Sequence, residues 1–174
     1  DAAIANVKNT DEQKSIVKKY LESKYADGTL DESLVFYFTS GPSRTRDING
    51  EKNALYEDYV QLIALVKSTK YNHNGPLLLG KEVNNAQQTY DQASGRPQIS
   101  MSMTGTGTAD WARITEEEIG NQVAVVLDEI VYTYPNINEK IPSGSSVISG
   151  NFDVQEAQDV ASILNAGKLD AKVD

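Results

Sequence analysis

Three features of the sequence predict an α+β fold with a largely antiparallel mixed sheet and packed helices. Strand-like and helix-like segments alternate irregularly and are joined by short hairpins, whereas a parallel sheet needs regular strand–helix–strand units. Gln98 to Met103 alternates cleanly, with Ile99, Met101 and Met103 on one side and Ser100 and Ser102 on the other. Two β-prone runs, Val123 to Leu127 and Ile130 to Tyr134, are separated only by Asp128-Glu129, the length of a tight hairpin turn. The densest part of this pattern is Gly95 to Ala166, and no repeat of 20 to 50 residues interrupts it.

In chain order, the first element is a helix. Thr10 and Gln13 have capping-box spacing, Ile16, Val17, Tyr20 and Leu21 share a face, and Gly28 after Asp27 suits a left-handed end. Leu34 to Phe38 (LVFYF) reads as a buried strand stopped by Ser40-Gly41-Pro42-Ser43. Ser43 to Glu57 is polar, carries the Asn49-Gly50 turn signal, and reads as a mobile surface loop. Tyr59 to Val66 is apolar on both faces, which places it centrally in a sheet, and Lys67 to Pro76 is loop-like.

The periodicity of Lys81 to Asp91 fits strand or helix. Strand is favoured because Gln92 to Pro97 then closes a hairpin onto Gln98 to Met103. After a break at Gly105-Thr106-Gly107, a helix over Thr108 to Ile114 carries Trp111. Thr115 with Glu118 is read as a second capping box before Ile119-Gly120. In the hairpin, Glu129 occupies a position that favours positive φ, so local strain or a longer loop is expected. Pro135 ends its second strand and Ser145 to Ser149 forms another. The last helix has Asp153 as N-cap, Glu156 at N3, an inward face of Ala157, Val160, Ala161 and Leu164, and Gly167 at its end.

The composition excludes several kinds of chemistry. With 174 residues one core is the default, and no apolar run reaches the ~18 residues of a membrane helix. The chain opens on Asp1 without an initiator Met and is read as a piece of a longer or processed polypeptide. A net charge of −9 disfavours nucleic acid, whose recognition needs clustered Lys and Arg. Zero Cys removes disulfides, thiolate metal sites and Cys nucleophiles.

No catalytic constellation emerges from what remains. Gly105-x-Gly107-x-x-Asp110 imitates a dinucleotide fingerprint, but Asp110 replaces the third Gly and would repel a pyrophosphate, so a cap or tight turn is the better reading. His73, the only histidine, lies in a loop without a carboxylate cluster. Glu116, Glu117 and Glu118 fan apart on a helix and read as a solvated first turn, not a metal cluster. Asp128 and Glu129 sit on a turn tip, a place not expected to supply the burial or charged neighbour that general acid-base work needs. Trp111, Tyr132 and Tyr134 read first as core and sheet residues. No metal or other cofactor is therefore expected.

The ordered series of turns and caps carries a resemblance. It comprises Leu79-Gly80, Gly95-Arg96-Pro97, Trp111, Thr115 to Gly120 (TEEEIG), Ala124 to Asp128 (AVVLD), Pro135, Ile148-Ser149-Gly150, Glu156-Ala157 and Ala166-Gly167-Lys168-Leu169. Over residues 77–169 this resembles the periplasmic domain of the SecD family, fused SecDF forms included. Glu118 stands where that family often has Asn, and Glu129 where it often has Gly. Residues 1–76 match no such series and look like the variable part of the head, and 170–174 look like a return strand or linker towards the base and membrane.

The resemblance implies a non-enzymatic accessory subunit of the Sec translocon, related to the resistance-nodulation-division superfamily. It implies flanking membrane helices in the full protein and a domain on the periplasmic side of the bacterial inner membrane. Its partners would be unfolded preprotein, SecF and the SecYEG channel, with proton-motive force driving the movement. Capture of this kind needs an accessible apolar groove or sheet edge of modest affinity. The candidate contacts are Phe36 and Phe38 on the exposed side of LVFYF, and Tyr132 and Tyr134 on the hairpin. A structural docking domain for SecF or the channel, and a carboxylate-pair hydrolase, are the alternatives.

Overall fold

The computed structural model describes residues 3–40, 59–67, 76–150 and 152–167. They form two compact units, residues 1–75 with 128–132 and residues 76–127 with 133–174. The fold is α+β, with two sheets and three α-helices among the described residues. The expected loop over Ser43 to Glu57, the Asn49-Gly50 turn, His73 and the return strand over 170–174 lie outside the described residues.

In the first unit the strands are β1 (Ala3–Lys8), β2 (Leu34–Thr39) and β3 (Tyr59–Val66), joined by residues of β7 (Ile130–Thr133) in the order β1-β3-β2-β7. β3 is the antiparallel partner of both β1 and β2, and β7 joins β2 in parallel. The central place expected for β3 is thus observed, and its Val60, Leu62 and Ile63 are all buried. Helix α1 (Asp11–Ala26) covers one face of this sheet, with Thr10 Oγ1 accepting from the Gln13 N–H.

The inward stripe of α1 is narrower than the sequence suggested. Val17 and Leu21 pack against Val7, Phe38, Val60 and Leu62, but Ile16 and Tyr20 are 53% and 61% exposed, and no residue of α1 is fully buried. Positions 17 and 21 lie one above the other, and the rotation of about 100° per residue carries 16 and 20 off that stripe, beyond the reach of a small sheet.

In the second unit, β4 (Val83–Tyr90), β5 (Pro97–Met103) and β8 (Ser145–Ile148) form an antiparallel sheet in that order. A single 3-10 turn, Gly80–Glu82, leads into β4. The expected alternation holds: Ile99, Met101 and Met103 are buried, together with Val83, Ala86 and Ile148 from the neighbouring strands. α3 (Val154–Ala166) supplies the other half of this core through Ala157, Val160, Ala161 and Leu164, the four residues expected. Both halves of its capping box form: Asp153 Oδ1 accepts from the Glu156 N–H at 2.8 Å, and Glu156 Oε2 from the Asp153 N–H at 2.9 Å.

Gly167 ends α3 as expected, with φ −58. A Cβ on Gly80 would lie 2.7 Å from the Gly167 carbonyl carbon, so the two backbones meet at a point where side chains do not fit.

Helix α2 spans Gly105–Glu117 and corrects two expectations. Gly105 to Gly107 is the first helical turn and not a break, because Thr104 Oγ1 accepts from the Gly107 N–H at 3.1 Å and starts the helix early. Thr115 is no N-cap. It is fully buried inside the helix, donates to the Trp111 carbonyl at 2.7 Å and accepts from the Ile141 N–H at 2.9 Å. A mid-helix Thr with this spacing back-bonds to residue i−4, an arrangement that composition alone does not separate from a cap. Glu116 and Glu117 therefore close a helix instead of opening one. Lys140 Nζ, 2.8 Å from Glu116 Oε2, offsets the unfavourable end of the dipole.

β6 (Val125–Leu127) precedes β7 through Asp128 and Glu129, both left-handed at φ 50 and 62. Expected strain is found here: a two-residue turn with positive φ at both positions is a type I′ geometry, which favours Asn and Gly. Leu34 to Phe38 forms its strand as expected, though half-buried over most of its length; only Phe38 is in the core.

Candidate functional site

The four candidate aromatics separate into two kinds of environment. Phe36 and Phe38 are two residues apart on β2 and so share a face, which is the face that α1 covers. Phe38 is only 8% exposed, among Val7, Val60 and Leu62. Phe36 packs at the margin of that cluster, with the Tyr25 ring edge-on at 6.3 Å. Lys14 Nζ lies 5.8 Å above the Phe38 ring, placing a helix cation where an open surface was expected. The expected exposure of Phe38 is thereby corrected, while Phe36 is half-buried. Tyr25 ties the same margin down by donating its hydroxyl to the Leu34 carbonyl at 2.6 Å, and burial raises its pKa.

Tyr132 and Tyr134 are both half-buried. β2 and β7 run parallel with Phe38 opposite Ile130, so Tyr132 lies on the Phe38 face of that sheet, beyond the last paired residue Thr39–Val131. Tyr134 follows β7 directly and belongs to the second unit. Between them Val123 donates its N–H to Pro135 and Ile137 to Asn121, which anchors the base of the hairpin in the second unit.

A second polar site was not visible in the sequence. At the start of α2, where the Gly105-x-Gly107 pattern invited a phosphate, Glu82 already supplies the anion. Its Oε2 accepts from Thr106 Oγ1 at 2.7 Å and from Thr104 Oγ1 at 2.8 Å. These two hydrogen bonds, Thr106 first, hold the Glu82 carboxyl below the usual carboxylate range. Gly107 is needed for the same approach, since a Cβ there would stand 2.7 Å from the Glu82 carbonyl oxygen. An internal carboxylate in this place opposes a bound pyrophosphate more strongly than Asp110 does.

Two further contacts organise the second unit. Trp111 Nε1 donates to Ser146 Oγ at 2.7 Å and joins α2 to β8. Asn165 on α3 takes both backbone groups of Ala86, accepting its N–H at 3.1 Å and donating to its carbonyl at 2.7 Å. The sequence signal for Asn165 was its place beside Leu164 near the inward side of an amphipathic helix, a position where polar side chains need a partner.

Among the described residues no group of three or more His, Cys, Asp or Glu gathers where a metal could sit, and no helix is long and apolar enough to cross a membrane.

The second unit is thus an antiparallel sheet backed by a capped helix. Residues 60–171 match the family described as SecDF, P1 head subdomain. Protein translocase subunit SecD of Rhodothermus marinus is 44% identical over 160 residues, 82% of this chain and 25% of that protein. Protein translocase subunit SecDF of Thermus thermophilus is 40% identical over 94 residues, 54% of this chain and 13% of that one. The crystal structure of SecDF from Thermus thermophilus, a translocon-associated membrane protein, superposes with a TM-score of 0.51 at 28% identity, covering 86% of this chain and 21% of that chain. The chain belongs to the SecDF P1 head subdomain family. It spans about a quarter of the length of the Rhodothermus relative.

Proposed function

We propose that this chain is the head of the first extracytoplasmic domain of a SecD or SecDF subunit, and that it reversibly holds unfolded preprotein during export. The match over residues 60–171 carries this reading. Residues 77–169 are the head region proper, 1–76 its variable elaboration, and 170–174 lead towards the base. The whole subunit, anchored by flanking membrane helices, works on the periplasmic side beside SecF and SecYEG, with proton-motive force moving the head.

Holding without stalling requires several weak contacts and not one deep pocket. Tyr132 and Tyr134 offer amphipathic rings with a polar tip, suited to transient contact with apolar side chains. Phe36 contributes at the margin of α1, and Phe38 supports it from the core. Photoreactive residues at positions 132 and 134 of the full-length subunit test this during arrested export. Capture of the exported chain supports the reading. Crosslinks confined to SecF or the channel, unchanged by substrate, would replace it with a docking role.

A further inference from the structure

Each edge strand of the second sheet turns alternate backbone groups away from β5. Met103 donates its N–H to the Gly144 carbonyl at 2.7 Å, so in the register Ser102–Ser145, Met101–Ser146, Ser100–Val147 the ladder bonds fall on Ser146 and Ile148. Ser145 and Val147 therefore turn their backbone N–H and carbonyl groups outward, away from β5. On the opposite edge Ala86 and Gln88 do the same, and Asn165 takes both groups of Ala86. On β8 only Ser145 is covered, by long contacts with Ser143 Oγ at 3.3 and 3.4 Å. The outward groups of Val147 have no partner among the described residues, and its side chain is 56% exposed.

Edge strands are usually guarded by charge, proline or a cover. Residues 143–150 (SGSSVISG) carry neither charge nor proline. Of the 16 basic and 25 acidic residues of the chain, none lies in β4, β5 or β8, and the face away from α3 presents Gln87, Ser100, Ser102, Ser145 and Val147.

We propose that the free edge of β8 accepts an extended segment of unfolded polypeptide as a fourth strand, paired through the Val147 N–H and carbonyl over this uncharged face. The proposal rests on the preprotein-holding reading and gives it a mode of contact. Pairing through backbone groups is indifferent to side-chain sequence, and a neutral face is indifferent to the charge of the passing segment. A second copy of this chain is the poorer occupant. One open residue on a four-residue strand falls far short of the roughly 800 Å² per partner of a stable interface. A chain delivered at high local concentration needs no such area.

The test uses the full-length subunit with a reporter preprotein arrested in export and a photoreactive residue at Ser145 or, separately, at Tyr134. Both probes are expected to capture the reporter. Val147→Pro removes the outward donor without costing a ladder bond, and is expected to lower capture from Ser145 about fivefold while leaving Tyr134 unaffected. Val147→Lys, at an exposed side chain, is the second variant should the proline disturb folding. Capture from Tyr134 without capture from Ser145 overturns the edge and leaves the holding function standing. Failure of both probes overturns both. Crosslinks from Ser145 only to another copy or another subunit overturn the occupant, and capture undiminished in both Val147 variants overturns strand pairing.

Discussion

Both units place a helix on a sheet, but α3 and α1 hold their sheets in different ways. α3 buries four side chains between Val83, Ile99 and Met101 and adds Asn165 to the strand edge. α1 buries none completely and relies on Val17, Leu21, the Tyr25 hydroxyl and an aromatic contact at its margin. One helix is part of the core, whereas the other is a cover laid over it. The family match, residues 60–171, includes all of α3 and none of α1.

Truncation of the larger core is the most direct way to sharpen this contrast. Ile99→Ala is expected to cost about 2–5 kcal/mol in urea unfolding, because Ile99 is fully buried and its removal leaves a cavity in the core. Leu164→Ala should fall in the lower part of the same range. If Leu21→Ala on α1 cost as much as Ile99→Ala, the distinction between core and cover would fail; about 1 kcal/mol is expected for this half-buried residue.

Asn165→Ala probes the polar half of the α3 attachment. It leaves the Ala86 N–H and carbonyl without their partner, at a cost of about 1–3 kcal/mol, and hydrogen exchange at Ala86 should accelerate. Exchange at Ala86 unchanged by the substitution would show that the edge is protected by other means. Gly80→Ala is expected to cost about 1–3 kcal/mol by forcing the Gly80 and Gly167 backbones apart, again by chemical denaturation.

Smaller effects are expected at the hairpin and at α2. Glu129→Gly relieves one left-handed residue and should stabilise by up to about 1 kcal/mol, since the ion pair it gives up with Lys18 is exposed and 3.9 Å long. A thermal melt that moved down would contradict the strain. Glu82 makes a pH-dependent contribution. Its folded pKa is depressed, so the stabilisation is complete above the ordinary glutamate value of 4.5 and is lost as pH falls through the lower folded value. The stability gap between the natural chain and Glu82→Gln should therefore be open at pH 7 and close on acidification below that range, as denaturant titrations at each pH will read.

How much of this was legible in the sequence depended on the range of the interactions. The Ile99-Met101-Met103 alternation, the Asp153–Glu156 box and the 157-160-161-164 face were readable because each repeats with the period of its own element. The Thr115 reading failed for a related reason. A threonine three residues before Glu118 has the spacing of a cap, and only the course of Ile141 past its hydroxyl reveals an interior position. The candidate aromatics were legible as residues but not as surfaces. Phe36 and Phe38 were correctly placed on one side of a strand, yet which side α1 covers is a long-range fact.

By itself, then, the sequence determined the class of fold, the three helices and every described strand but β1, which precedes the helix expected to open the chain, the strained turn at Asp128-Glu129 and, through an ordered series of turns and caps, the family. These depend on dihedral preference and periodicity, which act over a few residues. Only the tertiary structure decided that Glu82 occupies the start of α2, that Asn165 takes the outward groups of Ala86 while those of Val147 find no partner among the described residues, and that Phe38 is buried. Each of those depends on groups 20 or more residues apart meeting within hydrogen-bond or van der Waals distance, and no local preference encodes such a meeting.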